Sequence, residues 1–278
     1  QFMVVIPPDF SKKLVRGERP SLLITVDATD PSATGNAMAA LSALVPQALA
    51  HDLPGPLAQR RPVPAAFDVR VHRRYNPEGL SRYNIVPGLI GTILTMTMVM
   101  LTALAMTRER ERGTMENLLA TPVRPSEVMV GKILPYVVMG YVQLLVILVA
   151  AFVLFQVPMV GSFPLLLTMI GVFIVANLGV GFTFSTVARN QLQAMQLTFF
   201  FFLPSMLLSG FMFPFRAMPL WAQYVGEVLP LTHFLRIVRG ILLKGNHASQ
   251  LWTEVWPMLA FLLVAGFVAL RRYRQTLD

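Results

Sequence analysis

Polar and apolar positions follow two regimes along this chain. Over the first 75 residues they interchange at short range, whereas beyond residue 84 they separate into long apolar runs with polar breaks. In the first regime FMVVIP reads as a short strand. PDFSKKLVRG follows as a helix, with Pro8 and Asp9 at its start and Gly17 at its stop. SLLITVDATD is rich in β-branched residues and predicts a second strand. SATGNAMAALSALVPQALAHDL predicts a helix bent at Pro46, PGPLAQRRPVPA a proline-rich connector, and AFDVRVHRRY a half-exposed third strand. The order β-α-β-α-β predicts a small α/β domain over residues 1–84 with a largely parallel sheet.

In the second regime five runs are each long enough to cross a hydrocarbon layer, which takes about 20 residues of helix. They occupy 85–106, 133–157, 163–188, 192–213 and 252–270. The predicted fold class is therefore an all-α membrane bundle carrying an N-terminal α/β domain, with residues 85–278 as the transmembrane part. Composition agrees: 13% of residues are charged and the mean hydropathy is +0.60, where a soluble domain carries about a quarter charged residues. The net charge of +9 does not point to nucleic acid, because the basic residues are scattered and build no basic helix or aromatic-basic patch. With no cysteine, disulfides and thiolate chemistry are excluded.

Orientation follows from Lys and Arg in the short loops. If the five runs alternate, loop 107–132, loop 189–191 and the tail RRYRQTLD share one side and hold nine such residues, against four in 158–162 and 214–251. The richer side is expected to be cytoplasmic, which places residues 1–84 outside the cell membrane. An outside domain must be drawn across, and FMVVIPPDF lacks the basic start and apolar length of a signal peptide. A sixth span preceding Gln1 is therefore expected, the chain being a fragment.

Loop 107–132, TRERERGTMENLLATPVRPSEVMVGK, packs nine charged residues between two uncharged runs. The first span is expected to run on through the alternating charges of MTRERER, which solvate a helix end. Arg112 and Gly113 close it. Thr114 can cap a short helix, MENLLA, with Glu116 in its first turn. Met115, Leu118 and Leu119 form a small apolar face, flanked by Asn117 and followed by Thr121 and Pro122. Ser126 is expected to cap the next helix. One reading is a solvated loop obeying charge rules; the other is a plug that docks in a groove of a soluble partner.

The run ERERGTMENLLATPVRPSEVMVGKILPY closely resembles the first cytoplasmic loop of the permease subunits of type-2 ABC exporters, where an E-R-G-T-x-E-x-L-x-x-T-P pattern forms the coupling helix. MPLWAQYVGEVLPLTHFLRIVRGILLKG (218–245) is similar to that family's segment before its last span. VIPPDFSKKLVRGERPSLLITVDATDP looks like the start of the large external domain of its bacterial drug and small-molecule exporter subgroup. The resemblance implies a bacterial inner-membrane protein, a homo- or heterodimer of six-span subunits, each docking a separate ATPase through Thr114–Ala120. ATP and Mg would be bound by that ATPase, since this chain has no G-x-x-x-x-G-K-[ST] loop. Membrane lipids, and a periplasmic adaptor leading to an outer channel, are further expected partners.

Segment 214–251 is too polar to span and too apolar for an ordinary loop. Glu227, Pro230, His233, Arg236 and Arg239 fall there among Leu, Ile and Phe. It reads either as short helices dipping back into the outer leaflet to line the exit, or as an interfacial helix with snorkelling arginines. Within the spans Gln143, Asn177 and Gln196 are candidates for a substrate pathway, with interhelical hydrogen bonding as the commoner use of such residues. No metal site is expected, because His51, His72, His233 and His247 lack ligand spacing. No catalytic motif is present either, so the chain is not expected to be an enzyme on its own. The function that follows is the permease of an ATP-driven exporter. An ion-driven secondary transporter would need ionisable groups within the spans, where only Glu254 near one end qualifies. A membrane-anchored ligand sensor would need a cytoplasmic output domain.

Overall fold

A computed structural model describes residues 2–16, 18–44, 67–112 and 125–275. They belong to two compact units, Gln1–Asn84 and Ile85–Asp278.

The first unit is built on a three-stranded sheet in the order β1 (Phe2–Val5), β2 (Ser21–Asp27), β3 (Asp68–Arg74), with β2 in the middle. Strand β2 shows the period-two burial of a sheet covered on one face: Ile24 and Val26 are buried while Leu23 is 40% exposed. β3 pairs with β2 in parallel, Ser21 opposite Asp68 and Asp27 opposite Arg74. β1 runs antiparallel, Phe2 opposite Val26 and Val5 opposite Leu23, so the expectation of a largely parallel sheet is corrected. Helix lengths supply the reason. The link before β2 holds only α1 (Phe10–Val15), six residues or about 9 Å of helix, too short to carry the chain back along a strand. The link to β3 holds α2 (Pro31–Leu44), whose 14 residues span about 21 Å and match a seven-residue strand. α2 begins at Pro31, where a proline's fixed φ suits a first helical position, and the Asp30 carboxylate accepts from Ala33 N at 3.2 Å. The bend expected at Pro46 and the connector after it lie outside the described residues. Buried Asn76 closes the turn after β3, donating to Leu80 O at 3.0 Å and accepting from Leu80 N at 2.9 Å.

The remaining elements are helical: α3 (Arg82–Glu111), α4 (Pro125–Val153), α5 (Phe163–Val187), α6 (Gln191–Leu208), a 3-10 turn at Phe215–Ala217, α7 (Leu220–Val228), α8 (Pro230–Lys244) and α9 (Ala248–Gln275). Five of them are long and apolar enough to cross a membrane, in the order the hydropathy pattern predicts. Their ends differ from it. α3 continues past its apolar run to Glu111, as its charged extension predicted. α4 begins at Pro125, which puts Ser126 within the helix and not ahead of it. It stops at Val153, four residues short of the expected end, where Gln156 takes a positive φ of 51°. α6 stops at Leu208 and the chain turns at Gly210, φ 82°, a conformation that favours glycine.

At the centre of the second unit lie α5 and α8. Phe173 of α5 stacks on Phe234 of α8 at 3.8 Å between ring centres, and neither ring is exposed. Small residues let backbones approach where no hydrophobic force acts between helices in lipid. A Cβ on Gly181 of α5 would lie 2.5 Å from Val99 O of α3. α4, α6 and α9 turn Val142, Leu145, Val146, Phe200, Leu203, Leu263 and Phe267 outward. Such apolar exterior faces are what a hydrocarbon surrounding requires.

Candidate functional site

Two clusters of polar side chains cap opposite ends of this helical unit. The first gathers where α3 ends, α4 begins and α5 passes into α6. Glu109 forms an ion pair with Lys132 of α4. Arg110 donates from Nη1 to Thr186 O at the end of α5, 3.3 Å. Glu111 accepts from Gln191 N at 2.8 Å, and from the Gln191 side chain, at the start of α6. The charges of MTRERER were read as solvating a helix end, yet three consecutive ones reach three other helices. Arg112 follows at the α3 terminus, its N–H donating to Arg108 O at 3.1 Å. Gly113, Thr114, Met115, Glu116, Asn117, Leu118, Leu119, Thr121 and Pro122 lie outside the described residues. Beside the Glu109–Lys132 pair opens a cleft of about 390 Å³, lined by Met106, Pro135, Tyr136 and Met139 together with the pair itself.

The second cluster forms where α7, α8 and α9 meet. α7 and α8 are separated only by Leu229 in extended conformation, and Pro230 supplies the first residue of α8. This joint sets the end of α7 against the first turn of α8. His233 then lies with Nδ1 2.7 Å from Glu254 Oε2 and Nε2 2.8 Å from the Glu227 carbonyl oxygen. Arg236, one turn on, donates from Nη2 to Glu227 Oε1 at 2.6 Å and from Nη1 to Glu254 Oε2 at 3.2 Å. Its guanidinium stands 4.6 Å from the Phe215 ring centre, within cation–π range. Arg239 donates to Gly210 O at 3.3 and 3.4 Å, fixing the turn after α6.

α8 is enclosed on nearly all sides, with Leu231, Phe234, Leu235, Val238 and Ile241 fully buried. Its far end is capped by Gly245 in the left-handed region, φ 68°, with Asn246 N donating to Gly240 O at 3.0 Å. The loop after α4 is tied to that end, since Val160 N donates to Leu242 O at 3.0 Å. Burial pushes the His233 pKa down. The hydrogen bonds to Glu254 and to the Glu227 carbonyl, with the charges of both carboxylates, outweigh burial and leave it raised above 6.5.

Of the predicted site residues, Glu227, Pro230, His233 and Arg236 come together, while Arg239 acts one turn further on. Glu254, read from the sequence only as a lone carboxylate near a span end, completes the cluster; a carboxylate at the head of an apolar run was the available signal. Gln143 Oε1 accepts from Thr97 Oγ1 at 2.9 Å, joining α4 to α3. Asn177 is fully buried in α5 and donates to Phe173 O at 2.9 Å. Gln196 is exposed on α6.

A family model described as "ABC-2 family transporter protein" matches residues 1–271. The chain belongs to the ABC-2 transporter family. Escherichia coli K12 supplies three relatives. YbhR, named a probable multidrug ABC transporter permease, is 29% identical over 98% of this chain and 73% of its own length. YbhS, with the same description, is 34% identical over 70% of this chain and 52% of its own length. YhhJ, an inner membrane transport permease, is 30% identical over 99% of this chain and 73% of its own length. Family and helices together make this an ABC-2 permease that crosses the membrane several times.

Proposed function

We propose that this chain is the membrane subunit of an ATP-driven exporter in a bacterial inner membrane, driven through residues 113–124 by a separate ATPase. The observation that carries the reading is the anchoring of the α3 terminus. Glu109, Arg110 and Glu111 hold α4, α5 and α6 immediately before the segment that resembles a coupling helix. A push on that segment is therefore delivered to four helices together instead of bending one. ATP binding closes the ATPase dimer, the lever at Thr114–Ala120 shifts, and the bundle exchanges inward for outward access. Only differential affinity of the cargo for those two states makes such an exchange vectorial.

Nine Lys and Arg residues against four in the short loops support a cytoplasmic lever. On that orientation residues 1–84 and the α7–α8 corner face outward, and Glu227, Pro230, His233, Arg236 and Arg239 border the exit. The cargo is a drug, lipid or other small molecule, and the names of YbhR and YbhS, probable multidrug ABC transporter permeases, favour the first. A second permease subunit completes the pathway, with Gln196 on exposed α6, half-buried Gln143 and buried Asn177 as its candidate polar positions. ATP and Mg belong to the ATPase, and a periplasmic adaptor is a further partner for the outer domain.

The test is reconstitution with the ATPase, comparing Leu118→Asp and Glu116→Arg with the parent. Each variant should weaken ATPase association at least about tenfold, equivalent to about 1.4 kcal/mol, and lower transport in step. Unchanged association and transport in both would remove the lever from the mechanism.

A further inference from the structure

We propose that a single labile proton, held by the His233 imidazole between Glu254 and the Glu227 carbonyl, pins a latch that joins α7 and α8 to the head of α9. Both ring nitrogens sit at hydrogen-bond distance from oxygens, Nδ1 2.7 Å from a carboxylate and Nε2 2.8 Å from a carbonyl. The Glu227 carbonyl can only accept, and so can the Glu254 carboxylate, which Arg236 holds in its ionised form at 3.2 Å. A neutral imidazole carries one N–H and satisfies one of them, leaving a nitrogen lone pair directed at an oxygen lone pair. The observed geometry is satisfied at both ends only by the imidazolium.

Charge bookkeeping points the same way. α7 brings Glu227, α9 brings Glu254 and α8 itself brings Arg236. α5 and α6 contain no titratable residue, and neither does α3 between Ile85 and Met106. Arg216, on the 3-10 turn beside the cluster, and Tyr224 on α7 are both exposed. With a protonated ring these four groups sum to zero; with a neutral ring one net negative charge stays on carboxylates 43% and 24% exposed, beside a His233 side chain only 6% exposed. A net charge partly withdrawn from water is disfavoured. The raised pKa of His233 accords with both arguments.

Loss of the proton forces the ring to release one partner. Releasing Glu254 leaves Arg236 as the remaining polar tie of α8 to that carboxylate on α9, and releasing the Glu227 carbonyl leaves Arg236 and Thr232 to hold the end of α7. Either way the corner loosens as the surrounding solution becomes more alkaline. That the corner meets the external solution rests on the orientation proposed above, whereas the proton site does not.

The chain has no cysteine, so Tyr224→Cys and Trp256→Cys, both at exposed positions, take spin labels without background. The intact chain in nanodiscs, with one buffer on both faces, keeps the result independent of orientation. The α7–α9 separation and the ¹⁵N signals of His233 are followed over roughly pH 5.5 to 9, bracketing an ordinary imidazole. His233→Gln identifies those signals by difference. Expected are two protonated ring nitrogens at neutral pH with one narrow separation, broadening as the ring titrates. His233→Gln should show the broad distribution throughout. Glu254→Gln should keep the narrow separation at every pH with the His233 titration moved lower, because an amide can donate to Nδ1 while Nε2–H donates to Glu227. That variant carries the test if His233→Gln does not fold. One bare ring nitrogen at neutral pH, deprotonation without a change of separation, or the same pH response in His233→Gln would each overturn the latch.

Discussion

The two ends of the helical unit use the same residue types for different ends. At the α3 terminus Glu109 and Lys132 keep 39% and 17% of their side chains exposed, and each tie there joins α3 to one other helix through its own pair of residues. At the α7–α8–α9 corner only His233, 6% exposed, is withdrawn from solvent, while Glu227, Arg236 and Glu254 keep 43%, 31% and 24%, and two carboxylates each serve two cations. The contacts of the first set are independent of one another, so water can replace them one by one. In the second set the members are shared, so losing one disturbs all its partners together. Charge count alone does not separate the two ends; connectivity and the burial of His233 do.

The sharpest way to break this contrast is to remove the hub of the buried corner. Arg236→Ala leaves Glu227 and Glu254 facing each other around His233. Breaking a fully buried pair costs about 3–5 kcal/mol. With 31% of the Arg236 side chain exposed, solvent screening reduces that to about 1–3 kcal/mol. Thermal unfolding in detergent, followed by tryptophan fluorescence, should show a clear fall in midpoint. A midpoint indistinguishable from the parent would put this corner in the same class as the α3 terminus.

Much of this architecture was legible in the residues, and its gaps have physical causes. The five spans stand out because each is a contiguous apolar run, a signal that survives without any knowledge of neighbours. Their ends are less legible: Gln156 and Gly210 end helices through backbone conformation, not through a change of hydropathy. The antiparallel β1 was missed because a β-α-β order suggests a crossover, while only the six-residue length of α1 shows that none fits. The corner was half legible. Glu227, His233 and Arg236 share one short segment, but Glu254 lies 21 residues from His233 and meets it only through the packing of α8 on α9. Glu111 and Gln191 are 80 residues apart, and no local pattern announces their pairing.

A second, smaller effect sharpens the contrast through pH. The folded pKa of His233 lies above its ordinary 6.5, so the folded state holds the proton more tightly than the unfolded chain. The associated stability is complete below about pH 6.5 and is lost as pH rises through the folded value. The unfolding midpoint of the parent should fall over that window, and the fall should be absent in His233→Gln. A slope of equal size in both proteins would assign the effect to other groups.

The smallest effect should come from Lys132→Ala. Its partner Glu109 is more than a third exposed, so the pair stabilises the fold by about 0.2–1 kcal/mol, as exposed ion pairs do. Removing it should move the unfolding midpoint little. The pair nevertheless sets where α4 stands against the α3 terminus, directly beside residues 113–124. If those residues are the lever, Lys132→Ala should lower ATP-coupled transport by more than its stability change accounts for, and Lys132→Arg should restore it by renewing the charge. Transport that follows stability alone in both variants would reduce this end to scaffolding, and the difference between the two ends would then be one of burial without a difference of role.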